Sequence, residues 1–332
     1  MRIVFESVDP GSLEPVRDIT PIIDSSEQAS VSLDLDSDVG CSAQFGFVGN
    51  QAAIGNAVRI SLVDDAGISE TLITGFADVT ESERMGKFET GSVELEGMLA
   101  ALRDTCAPQA YVVPGGTSAA SVINDICAQL GRPTAIPSDF GAGSYTQCIV
   151  YEAGTPWLTV AKEAAARCGM RLTQNRMGFV TLMPTGTAAE EEHWLLSPGS
   201  TEIITRIEKT TPAEPSPTRV VATWSSADKS LAASADAPVR GAHPRDVHLD
   251  VSDIEDPSTA VLAALAQQEL DRQSQQESEW KFSVLYRSVD VGSTARITDL
   301  IDQSVMTGTI THIEFDMLPV LTMSVVVRGD VS

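Results

Sequence analysis

The side chains best able to carry chemistry in this sequence are few and scattered. There are four histidines, His193, His243, His248 and His312, and five cysteines, Cys41, Cys106, Cys127, Cys148 and Cys168. No histidine pair has the HExxH spacing of a helix-borne zinc site. His243 and His248 share one stretch with Asp246 and Asp250, which would hold a metal only if that stretch were rigid. His312 lies in an alternating segment and reads as a strand residue. No cysteine pair has CxxC spacing, and an odd number argues against a complete disulfide framework. Buried free thiols are expected, with one bridge left open in the middle region. Asp34, Asp36 and Asp38 alternate as in a calcium loop, but the glycine and distal glutamate of such a loop are missing. Gly115 and Gly116 after Pro114 lack the lysine of a phosphate loop and read as a turn. No GxSxG occurs, so no nucleophile elbow is available. The expectation is a chain without catalytic, cofactor-binding or metal-ligating residues, and not an enzyme.

Charge adds a second exclusion. The 332 residues carry 46 acidic against 22 basic side chains, a net charge of −24. Nucleic-acid affinity arises mainly from cations that neutralise phosphates, so this chain should not grip DNA or RNA. Two readings remain for the charge: solubility alone, or a surface that must not hold DNA passing close by. A content of 42 % hydrophobic and 20 % charged residues predicts a folded chain of two or three domains. Met1 to Asp9 has neither a basic start nor an apolar run, so no signal peptide is expected. No stretch approaches the roughly 18 apolar residues of a membrane helix. The expectation is no membrane insertion, with synthesis in the cytoplasm.

The elements that would position any site are mostly strands. Alternation marks Ala29–Asp36, Ala57–Val63, Glu70–Val79 and Lys87–Gly97, with a turn at Asp64–Gly67 joining the second and third as a hairpin. Val58, Ile60 and Leu62 should share one face. Val93 and Leu95 should oppose Glu94 and Glu96, leaving one face wet. A helical turn is predicted from Met98. A helix is predicted over Ser118–Leu130, capped by Thr117 and closed by Gly131. Another runs over Thr155–Cys168, with Thr155 as cap and Pro156 at its first position. A hairpin follows, Met170–Thr173 and Phe179–Met183. Glu190–Glu192 and Leu195–Ser200 read as a connector. Glu202–Thr210 and Thr218–Ser225 read as strands around the proline-rich loop 211–217. Ser226–Asp246, poor in apolar residues, reads as a long exposed loop. Pro257–Arg272 is a helix with Asp256 or Ser258 as cap and Val261, Leu262, Leu265, Ala266 and Leu270 on one face. Strands return at Glu279–Tyr286, Ser293–Asp299, Thr307–Phe315 and Leu321–Arg328.

This order of elements resembles the phage tail hub or baseplate hub family, the late control protein D-like hubs and the amino-terminal hub part of tail-associated proteins. Gly55, Val58, Ile60, Leu62 and Asp64 match one piece of the family pattern. Leu72, Thr74, Gly75 and Val79 match a second, and Leu95, Gly97 and Leu102 a third. Gly154, Thr155, Trp157, Ala165, Gly169, Leu172 and Gly178 resemble the middle region. Ala266, Leu270, Trp280, Phe282, Val284, Gly308, Ile310 and Ile313 resemble the last part. The stretch Ser226–Asp246 departs from the pattern, and the expectation is a hub alone, with no wall hydrolase or long fibre domain after Ser332.

The resemblance implies a mainly β fold with an α+β insertion. Residues 1–98 would be a first small antiparallel β-barrel and 99–195 the inserted α+β domain. Residues 196–332 would be a second barrel, with a helix at 257–272 and a long loop at 226–250. It implies a structural virion protein at the tail tip: a homotrimeric ring that joins the sixfold tail tube to the threefold tip and gives DNA a channel for genome ejection. Implied partners are the tail tube or distal tail protein ring, a tail tip fibre or spike protein, and the tape-measure protein. DNA would pass without specific binding. Two rival readings are a carbohydrate- or receptor-binding tail module, which needs exposed aromatics, and a virion-associated cell-wall hydrolase, which needs paired carboxylates in a cleft. Trp157 and Trp280 read as core. Trp194 and Trp224 are open.

Overall fold

The computed structural model describes residues 2–24, 29–85, 88–137, 143–184, 191–196, 203–205, 207–210, 218–225, 230–236, 245–251, 259–274, 278–317 and 321–331. Its strands run β1 (Arg2–Val8), β2 (Pro15–Asp18), β3 (Ser30–Asp34), β4 (Cys41–Gly49), β5 (Ala57–Val63), β6 (Ser69–Met85) and β7 (Phe88–Gly97). A mixed stretch follows: α1 (Ala100–Arg103), β8 (Tyr111–Val113), α2 (Ala119–Gln129), β9 (Ile149–Tyr151), α3 (Trp157–Arg167), β10 (Met170–Gln174) and β11 (Val180–Pro184). Then come β12 (Glu191–Leu196), β13 (Glu208–Thr210), β14 (Arg219–Ser225), β15 (Ser230–Asp236), β16 (Asp246–Asp250) and α4 (Thr259–Ser274). The chain ends with β17 (Ser278–Leu285), β18 (Thr294–Asp299), β19 (Ser304–Asp316) and β20 (Thr322–Val331). The fold is mainly β with antiparallel sheets and an α+β middle region, as the alternation predicts.

The residues fall into two compact units, Met1–Ile207 with Lys281–Val327, and Glu208–Trp280 with Arg328–Ser332. In the first unit one hydrogen-bonded path runs β17-β20-β19-β3-β4-β7-β6-β5-β1-β2. The first and last strand sets meet where β19 pairs antiparallel with β3, Phe315 opposite Val31 and Ile313 opposite Leu33. The inner face of this path is apolar: Val31, Phe45, Phe47, Val93, Ile313 and Phe315 are all buried. β6 and β7 approach closely enough to need glycine. A Cβ on Gly75 would lie 2.5 Å from the Glu96 carbonyl oxygen.

The middle region has its own core. Ser118 caps α2, its hydroxyl accepting from Ser121 N at 3.1 Å, one residue later than the sequence suggests; the Thr117 carbonyl instead accepts from Tyr145 N. α3 starts at Trp157 with Pro156 as its cap residue, because the Thr155 hydroxyl is spent on the Glu152 carbonyl at 2.8 Å. Val122, Ile126, Trp157, Val160 and Ala164 pack between the two helices and the β10–β11 hairpin. Two polar side chains join this hairpin to the strands around it. The Gln174 amide donates to Thr74 O at 3.0 Å and its oxygen accepts from Leu99 N at 3.3 Å. Arg176, its side chain 14 % exposed, holds Glu70 at 2.9 Å and Asp290 at 2.5 Å.

In the second unit β14 pairs antiparallel with β15 and parallel with β16. α4 covers the sheet, with Leu262, Ala266 and Leu270 against Val220, Ala222 and Trp224. Val261, expected on that face, is 42 % exposed; the burial follows the spacing of Leu262, Ala266 and Leu270 instead.

Two expectations are corrected. The stretch Glu191–Leu196 is a strand, not a connector. It pairs in parallel with β18, Trp194 opposite Ile297, and Trp194 is 1 % exposed. Its partner lies a hundred residues on, so no local pattern marks it; Glu190 and 197–200 lie outside the described residues. The loop expected over 226–250 contains β15 and β16. Leu231, Ala233 and Ala235 alternate inward against α4 while Ser230, Ala232, Ser234 and Asp236 are exposed. Two of the three inward positions are alanine, so the segment lacks the bulk that flags a strand. Residues 226–229, 237–244, the loop 211–217 and the suggested caps Asp256 and Ser258 lie outside the described residues. Among the described residues no helix is long and apolar enough to cross a membrane.

Candidate functional site: an acidic sheet face

The side chains singled out for chemistry do not come together. His193 is exposed on β12 and His248 is exposed on β16, while His243 lies outside the described residues. Asp34, Asp36 and Asp38 take separate partners. Asp34 accepts from Asp36 N at 2.8 Å, Asp36 faces Arg171 at 3.6 Å, and Asp38 bonds Lys162. The Lys162 ammonium holds the Asp38 carboxyl below its ordinary range. Among the described residues no three His, Cys, Asp or Glu side chains gather as a metal would need. None of the five cysteines is in a disulfide. Burial pushes the Cys41 and Cys127 thiols up to about 12, which makes them inert. Cys106 and Cys148 are exposed, against the expectation of buried thiols. Gly116 has φ 88° in the expected turn. All four tryptophans are buried, Trp224 at 8 % being the most exposed.

What the fold assembles instead is a face. In β-strands alternate residues point to opposite sides, so pairing registers decide which charges become neighbours. Across β19, β3, β4, β7 and β6 one row reads Asp316, Ser30, Gln44, Glu94, Asp78. The next reads Glu314, Ser32, Ser42, Glu96, Phe76. Past a register shift between Val79 and Glu81, the face continues through Ser92 with Glu81 and Thr90 with Glu83. These positions are exposed or half-buried, while their neighbours along each strand form the core.

The electrostatics of this face are one-sided. The strand positions in those rows hold no lysine or arginine. At its border Arg103, from α1, bonds Glu96 at 2.7 Å, and His312 Nδ1 lies 3.7 Å from Asp34. Asp78 and Glu94 are directly opposite each other, a like-charged cross-strand pair that costs stability. Adjacent strands are about 4.8 Å apart, within the Debye length of about 8 Å at physiological salt, so the β6 and β7 carboxylates act together, while Asp316 and Glu314 on β19 stand three strand spacings from β7. Such a face repels polyanions. Its signal in the sequence was the alternation of Val93 and Leu95 with Glu94 and Glu96. The registers that set Asp316, Glu94 and Asp78 in one row had no signal.

Known structures share this architecture. The chain is similar to the 43 kDa tail protein of prophage MuSo2 from Shewanella oneidensis, at 15 % identity and TM-score 0.70, over 98 % of this chain and 97 % of that one. It is similar to a tail protein from Neisseria meningitidis MC58, at 13 % identity and TM-score 0.65, over 99 % and 97 %. It is also similar to prophage tail protein gp18 from Listeria monocytogenes EGD-e, at 10 % identity and TM-score 0.57, over 99 % and 95 %. No protein-family model and no curated protein matches the sequence. At these identities the likeness establishes the fold: the whole chain has the fold of phage tail proteins.

Proposed function

We propose that this chain is a structural subunit of a phage tail, a hub at the tail tip that forms a homotrimeric ring around a DNA channel. Residues 1–98 and 196–332 are the two hub barrels of this reading, and 99–195 the inserted domain. Two similar parts in each of three subunits give pseudo-sixfold symmetry, which matches a sixfold tube on one side and a threefold tip on the other. The observation that carries the reading is the coincidence of whole-chain tail-protein likeness with a sheet face whose strand rows hold carboxylates on β6, β7 and β19 and no lysine or arginine. That face lines the channel and keeps phosphates from binding as the genome passes. The role is assembly, not turnover. The partners are the tube or distal tail ring, the fibre or spike, and the tape-measure protein.

Imaging the full-length chain in solution tests this. The expected particle is threefold, with Glu94 and Asp78 on the lumen. A monomer at every concentration, or a ring with that face outward, overturns the reading. Replacing Asp78 and Glu94 by lysine should make the ring retain duplex DNA at physiological salt, where the wild type retains none.

A further inference from the structure

The two strand sets of the first unit meet along one seam. β19 pairs with β3 over residues 30–34 and 312–316, with Leu35 N donating to Thr311 O at 2.8 Å and Met317 N to Ala29 O at 3.0 Å. A single pair of strands can twist and splay, so a second point of contact must fix the angle between the sets. Packing does not supply it beside the seam. A cavity of about 330 Å³ lies there, between the end of β3, the β10–β11 hairpin and Asp290–Val291.

What spans this gap is the turn of the β10–β11 hairpin. The turn is rigid: Asn175 accepts from Phe179 N at 3.0 Å through its side chain and from Gly178 N at 2.8 Å through its carbonyl. It is fastened to the first strand set. Gln174 donates to Thr74 O, the Met177 sulfur accepts from the Thr71 hydroxyl at 3.1 Å, and Phe179 packs against Val8, Leu13, Ala57 and Met98. Arg176 reaches from this fixed turn to the last strand set. Its Nη1 donates to Glu70 of β6 at 2.9 Å, its Nε to Asp290 at 2.5 Å and its Nη2 to Val289 O. The Ser288 hydroxyl donates to the same Glu70 oxygen. A planar guanidinium holds several acceptors in fixed directions, which a single ammonium does not. The Arg176 side chain is mostly shielded from water, which would otherwise compete for these bonds.

We infer that Arg176 is the brace that fixes the angle between the two strand sets, and that this angle sets the curvature of the ring. The curvature rests on the ring reading above; the brace does not. Without the guanidinium, the Glu70 and Asp290 carboxylates face each other from opposite strand sets as like charges, and their repulsion loosens the angle.

Electron-spin distance measurements on the full-length chain test this. Labels go on Ser82→Cys in β6 and Arg296→Cys in β18, both exposed, with Cys106, Cys148 and Cys168 each replaced by serine. Labelled chain is diluted into excess unlabelled chain, so that only distances within one chain are read. The parent should give one narrow distance, and Arg176→Ala should broaden it about twofold. Arg176→Lys should fall between, since it keeps the charge and loses the fork. Lys162→Ala removes an ion pair between the β3–β4 turn and α3, which touches no part of the last strand set, and should leave the distance unchanged. Imaging should show rings of uniform subunit number for the parent, and open or mixed-size assemblies for Arg176→Ala. If Arg176→Ala keeps the narrow distance, the brace is wrong. If the distance broadens while the rings stay uniform, the curvature is wrong and the brace stands. If the parent never assembles, the ring reading and the curvature fall together, and the distances still decide the brace.

Discussion

β6 crosses from a covered half of its sheet to a bare one, and the two halves show what a face is for. At its start β6 pairs with β5, whose residues 57–62 are buried on both sides. Val58, Ile60 and Leu62 meet the common core. Ala57 lies in a second small core with Val8, Leu13 and Met98, against which Phe76 and Phe179 pack. Even Arg59 is buried at 6 %, its guanidinium donating to Leu13 O at 2.6 Å and pinning the 9–14 loop across the sheet. Beyond Phe76, β6 leaves β5 and pairs only with β7; there one face stays in water and carries carboxylates. A buried arginine was accommodated to cover one half, while like charges were tolerated to keep the other bare. Solubility alone would not need Asp78 placed opposite Glu94.

Substitutions can break this contrast. The largest effect belongs to the core both halves share: Phe45→Ala should cost about 3–5 kcal/mol in denaturant unfolding, through lost burial and a residual cavity. Arg59→Ala should cost about 1–3 kcal/mol, because the Leu13 carbonyl loses its donor while buried. If Arg59→Ala is neutral, the covered half is not held by this contact. On the bare half the sign reverses. Glu94→Gln should stabilise by a few tenths of a kcal/mol at low salt, by relieving the Asp78 pair, and the gain should fade as salt is added. A loss of stability would show that Glu94 has a structural partner.

The smallest effect lies at the ion pair between the β3–β4 turn and α3. The Asp38 carboxyl titrates below its ordinary range because of Lys162, so its contribution is present above about pH 4. That contribution is lost as the pH falls through the folded value. The pair is exposed, which keeps the contribution small. Following Asp38 by NMR should show its midpoint return toward about 3.9 in Lys162→Ala. An unchanged midpoint would remove the pair from the account.

Much of the fold was legible because period and punctuation are local. Ala57–Val63 and the alternation in 87–97 fell where expected, as did both helices of the middle region and α4. Cap positions moved by one residue, since Thr117 and Thr155 found other partners once the chain had folded. Among the strands missed, with β1, β4 and β16, β12 and β15 escaped for different reasons. The first depends on a distant parallel partner, and the second turns mostly alanine toward its helix. The candidate site was half legible: which residues of β7 face water was readable, but what stands beside them was not.

By itself, the sequence determined that this chain is acidic, mainly β, and built from strands with one apolar and one charged side. Those properties follow from composition and a two-residue period, which need no partner strand to be read. Only the tertiary structure decided that β19 joins β3, so that carboxylates more than two hundred residues apart lie in one row. Register is a long-range choice, made by core packing across strands that share no local signal.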